Sequence, residues 1–115
     1  MTLIDKKISR EELQKIADER FGDLVKAVVD IKNEIMVVGG ELHSDAESKL
    51  LQDHGSNQND LWGINLYPAN EKDEFLEFDS LINIRPSLNN RSRDVLDPRI
   101  RKKIINIVDK LIERD

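Results

Sequence analysis

Apolar residues recur along this chain in two distinct rhythms. From Ser9 the sequence reads S-R-E-E, and Leu13, Ile16, Ala17, Phe21 and Leu24 follow at helical spacing. Ser9 and Glu12 form a capping box, and Gly22 is a stop, so the spacing predicts a helix over 10–21. The period then changes to two. Val25, Ala27, Val29 and Ile31 alternate with Lys26, Val28 and Asp30, which predicts a half-buried strand. Lys32-Asn33 predicts a tight hairpin into Ile35–Val38, a continuously apolar and therefore central strand. Gly39-Gly40 ends or bulges that run, with Glu41-Leu42-His43 as its extension. Ser44-Asp45-Ala46-Glu47 reads as a second capping box that opens a short helix to about His54, with Gly55 beyond it.

Leu61 to Tyr67 predicts a third strand closed by Pro68, with Trp62, Ile64 and Leu66 on one face and Gly63, Asn65 and Tyr67 on the other. After an acidic turn, Phe75 to Arg85 predicts a fourth. Its Leu76, Phe78, Ser80, Ile82 and Ile84 share one face, and Phe75, Glu77, Asp79, Leu81, Asn83 and Arg85 the other. Ser87 to Leu96 is an irregular loop. Asp97-Pro98 then gives an N-cap with proline at N1, and Ile104, Ile105, Val108, Leu111 and Ile112 carry a helix to about residue 113. The order α-β-β-α-β-β-α predicts an α+β fold: a four-stranded, mainly antiparallel sheet with helices on one face, comprising N- and C-terminal helices and one short middle helix.

A length of 115 residues makes residues 1–115 one domain with one core. With 38% hydrophobic and 36% charged residues, the expectation is a soluble, cytoplasmic protein. The absence of cysteine excludes disulfides and thiol chemistry. No apolar run is long enough to span a membrane. Charge is unevenly placed. Residues 1–84 carry a balance of −9 and residues 85–103 one of +5, which argues against broad nucleic-acid coating and permits recognition of a single anionic group.

Three constellations are candidates for chemistry. Glu41, His43, Asp45 and Glu47 place four metal-capable groups within seven residues and suit a divalent ion; the competing reading is a helix N-terminus that prefers acids. Asn65, Tyr67, Glu77, Asp79, Asn83 and Arg85 share a polar strand face if the third and fourth strands pair; a plainly solvated sheet face would look the same. Arg85, Ser87, Asn89, Asn90, Arg91, Ser92 and Arg93 offer guanidinium forks and neutral donors for an anion, unless they shape turns and pair with the acidic body. No P-loop, G-x-S-x-G or G-x-G-x-x-G is present.

The segments G-G-E-L-H-S-D-A-E (39–47), D-L-W-G-I-N-L-Y-P (60–68), F-D-S-L-I-N-I-R-P-S (78–87) and N-R-S-R (90–93) resemble a family of small uncharacterised prokaryotic proteins, a domain of unknown function. The resemblance covers most of the chain and implies no activity, cofactor or partner. The +5 segment on an acidic body and the lack of a catalytic template make the expectation a binding or regulatory protein. It would recognise a small anionic ligand or an acidic partner segment through Asn65, Asp79, Asn83, Arg85, Ser87, Asn90, Arg91 and Arg93. The alternative is a metal-dependent hydrolase whose Glu41, His43 and Asp45, with Glu47 or Asp79, hold a divalent ion that activates water. A homodimer formed through an exposed strand and Phe75/Leu81 is a third reading.

Overall fold

The computed structural model describes residues 1–113. Its main sheet has five strands rather than four: β1 (Thr2–Ile4), β3 (Val25–Asp30), β4 (Ile35–Val38), β5 (Leu61–Leu66) and β6 (Leu76–Glu77). They lie in the order β1-β4-β3-β5-β6, each pair antiparallel. A second, parallel ladder joins β2 (Ile8–Ser9) to β7 (Ile112–Glu113). The helices are α1 (Arg10–Asp18), α2 (His43–Asp53), the single turn α3 (Lys72–Phe75) and α4 (Pro98–Leu111). The observed order β-β-α-β-β-α-β-α-β-α-β differs from the expected one because β1, β2 and β7 are too short to show a period and the acidic turn before β6 is the helical turn α3.

The helices cover both faces of the sheet, not one. Ala27, Val29, Met36, Val38, Trp62, Ile64 and Leu66 meet α1 and α4 through Leu13, Ile104 and Val108 in the larger core cluster. Val28, Val37 and Leu61, on the opposite side of the same strands, pack with Ala46 and Leu50 of α2. This second cluster explains why β3 reads as alternating yet is buried along most of its length.

Local chemistry accounts for the element ends. Ser9 caps α1, its Oγ accepting from the Glu12 amide at 3.1 Å. Asp97 does the same for α4 at Arg99, ahead of Pro98 at N1. α2 starts earlier than its Ser44 signal: Leu42 is the N-cap and donates its amide to the Asp45 carboxylate. Residues 41–43 therefore do not prolong β4. In the β3–β4 turn, Asp30 accepts from the amides of Lys32 and Asn33 and from the Asn33 side chain, so the left-handed residue is Glu34 rather than Asn33.

The largest correction concerns Phe75–Arg85, which is not a strand. Phe75 ends α3, β6 spans only two residues, and 3-10 turns follow at Leu81–Asn83 and Pro86–Leu88. Ser80 Oγ caps the first of these turns by accepting from the Ile82 amide. Ile84, expected in the core, is 43% exposed, whereas Phe75, expected at a dimer surface, is fully buried.

Candidate functional site

The residues of the segment after β6 fold back onto β5. There the ladder to β6 stops at Asn65, leaving Leu61 to Ile64 without a strand on that side. Side chains take the strand's place. Asn83 accepts from the Gly63 amide at 2.8 Å and donates to the Gly63 carbonyl at 2.9 Å, so one carboxamide imitates an antiparallel residue pair. Arg85 donates to the Leu61 carbonyl. The His43 ring meets the Ile64 carbonyl at 2.8 Å, a group that the antiparallel alternation turns toward β3. Ser80 lies so close over Gly63 that a Cβ built there would stand 2.5 Å from the Ser80 side chain, so only glycine fits this strand position.

Asn90 holds the rest of the segment. Its amide donates to the carbonyls of Asn83, Ser92 and Asp94, and its Oδ1 accepts from the Leu96 amide. Asn83 and Asn90 are both buried. These are internal struts. Buried amides with every polar group satisfied specify one conformation.

The arginines expected to hold an anion are mostly committed to carboxylates. Arg85 pairs with Glu47 at 3.0 Å with both side chains nearly dry, and burial lowers the Arg85 pKa from its ordinary value against the raising pull of Glu47. Its guanidinium also lies 5.2 Å from the centre of the Trp62 ring. Arg93 pairs with Asp79 at 2.6 Å on the surface. Ser87 and Arg91 are exposed and stand apart from these contacts.

The polar face survives only as a row. Lys26, Asn65 and Glu77 are register partners on β3, β5 and β6. Asn65 donates to Glu77 Oε1 at 2.8 Å and to the Asp79 carbonyl at 3.3 Å, and Tyr67 donates to the same Glu77 oxygen at 3.0 Å. Both acceptors fix the amide's orientation, which leaves Asn65 Oδ1 buried without a hydrogen-bond partner.

The segments 41–47 and 79–93 do meet, through Glu47 and Arg85, but they assemble no metal centre. Among the described residues no three His, Asp or Glu groups come together to hold an ion. Asp45 is spent on the α2 cap, Glu47 on Arg85, and Glu41 is exposed. His43 presents Nε2 to a carbonyl, which only accepts, so the proton sits on Nε2. Burial pushes its pKa below the usual value. The Lys26 charge adds to that, while the Ile64 carbonyl, Asn65 and Asp79 pull the other way.

A pH dependence follows. A histidine whose folded pKa lies below its unfolded value, about 6.5, costs no stability above that value and progressively more as pH falls through the window beneath it. Urea unfolding should therefore show the wild type losing stability below about pH 6.5 relative to His43→Gln, whose amide keeps a donor for Ile64. Parallel curves for the two proteins would exclude His43 as the cause.

A cleft lies elsewhere, between α3–β6 and α4. This cleft of about 880 Å³ has an apolar floor of Leu76, Phe78, Ile105 and Val108, and Asp73, Glu74, Glu77, Asp94 and Asp109 stand around it with Lys72 and Arg101. Arg101 is held over the Phe78 ring at 4.4 Å and by Asp94 at 3.6 Å. Of its carboxylates, Glu77 alone belongs to a constellation singled out in the sequence. The crossing of α4 over β6 creates the cleft, and no local pattern signals it.

The fold and this site define an α+β protein with a five-stranded antiparallel sheet and a small parallel ladder, a side-chain-braced stretch of β5, and an acidic cleft. The family model described as protein of unknown function (DUF5674) matches residues 2–111, and the chain belongs to that family. No curated protein and no solved structure matches it. Among the described residues no helix is long and apolar enough to cross a membrane.

Proposed function

We propose that the chain is a non-catalytic binding module whose α3–β6–α4 cleft takes a positively charged ligand. One observation carries the reading: Leu76, Phe78 and Ile105 line the cleft with five carboxylates against two cations, and even with Asp94 paired to Arg101 and Glu77 held by Asn65 and Tyr67, Asp73 and Glu74 leave an acidic excess. Pockets with an apolar base and a few charged groups at the rim are the ordinary form of a binding site. Asp73 and Glu74 stand exposed at its mouth. Anion recognition by the 85–93 segment lacks comparable support, because Arg85 and Arg93 are already paired with Glu47 and Asp79. The hydrolase alternative is not favoured, since its ligand set is not assembled.

Titration calorimetry with short lysine-containing peptides, and with glutamate counterparts, tests this. The lysine peptides should bind, more weakly as salt rises, and the Asp73→Asn/Glu74→Gln variant should bind them roughly tenfold less well with unchanged melting temperature. Equal binding of the glutamate peptides, or an unaffected variant, would refute it.

A further inference from the structure

We propose that the occupant of the cleft is an extended segment that adds to the sheet as a sixth, antiparallel strand beside β6. The inference rests on the cleft reading and gives it a binding mode. β6 is the terminal strand of the sheet. The Tyr67 amide donates to the Phe75 carbonyl at 2.8 Å, which makes that facing pair a hydrogen-bonded one. Such pairs alternate along an antiparallel ladder. Leu66 and Leu76, one step further on, are therefore a non-hydrogen-bonded pair, and the Leu76 N–H and C=O point away from β5. Leu76, Glu77 and Phe78 all line the cleft, so the outward side of β6 opens into it.

An incoming antiparallel strand would exchange two main-chain bonds with Leu76, its N–H leaving the closing turn of α3, the mode by which sheet edges capture peptides. The two faces of β6 then dictate its side chains. Leu76 packs into the larger core cluster, beneath α4, so the residue opposite it faces Ile105 and Val108 and is apolar. Glu77 turns to the other face, beside Asn65 and Tyr67, so the residues flanking that apolar position are basic. The segment thus alternates Lys or Arg with Val or Ile, a period-two pattern that an added strand requires and a helix does not.

The test uses a lysine–valine alternating pentapeptide, capped at both ends, against the intact protein. Two N-methylated forms separate the mode from the cleft itself. Methylation at the valine that faces Leu76 removes one main-chain bond and blocks the approach, so affinity should fall at least about 3- to 10-fold. Methylation at the adjacent lysine, whose N–H faces solvent, should leave affinity unchanged. Binding should also slow hydrogen exchange at the Leu76 amide. If both methylated forms bind like the parent, or both lose affinity equally, strand addition is wrong while the cleft reading stands. If the parent peptide does not bind, both readings fail together.

Discussion

Asn83→Leu should cost about 4 kcal/mol in urea unfolding. Leucine has nearly the same volume, so the loss is polar rather than steric. Two buried main-chain groups lose their partner at once, the Gly63 amide and the Gly63 carbonyl, while the Arg93 carbonyl keeps only the Ser80 amide. Each orphaned group costs about 1–3 kcal/mol. Asn83→Asp keeps the acceptor for the Gly63 amide but places a carboxylate against two carbonyls, and it should be no milder. A cost below about 1 kcal/mol for either variant would mean that the segment relaxes and re-satisfies β5 by other means.

Arg85→Met should cost about 3–5 kcal/mol, because Glu47 is left as a dry, unpaired charge. The Arg85 and Glu47 side chains are only 10% and 13% exposed, so water cannot take over the lost partner's role. Removing both charges together, as Arg85→Met/Glu47→Leu, should recover most of the loss, since the desolvation cost of the pair disappears with it. Arg85→Lys should not rescue fully: one ammonium cannot match the planar fork that reaches the Leu61 carbonyl and Glu47 together. Chemical denaturation of the three variants decides. Additive losses in the double variant would show that the pair contributes nothing as a pair.

Much of the framework was legible because its signals are local. The caps at Ser9 and Asp97 depend on residues within one turn, and β3, β4 and β5 depend on periods within six residues. Phe75–Arg85 misled for a related reason. Leu76, Phe78, Ser80, Ile82 and Ile84 keep a strict alternation, yet Ser80 and Asn83 use their side chains on turn and β5 backbone, as short polar residues do in competition with a ladder. The low strand propensity of asparagine was the available warning.

The polar residues that the sequence singles out meet one another, while the cleft is lined mostly by others. Asn65, Asp79, Asn83, Arg85, Asn90 and Arg93 do form one connected network, but what each holds is set by partners far along the chain. Composition could count the arginines of 85–103; it could not reveal that Glu47 and Asp79 neutralise two of them. The cleft was invisible for the same reason, since Glu74 and Asp109 become neighbours only when α4 packs.

The small β2–β7 ladder bears on the order of folding. Its partners, Ile8 with Ile112 and Ser9 with Glu113, are separated by nearly the whole chain, so closing it carries the largest loop entropy in the molecule. During synthesis this ladder cannot exist until residue 113 has been made. The five-stranded sheet, by contrast, has all its strands once residue 77 has emerged. α1 directly follows β2, and its buried Leu13 and Ala17 share a cluster with Ile104, Val108 and Ile112. A nascent chain would thus hold a nearly complete sheet with one face covered only by α1, awaiting α4 to seal it, which makes the last helix the step that ends exposure to aggregation.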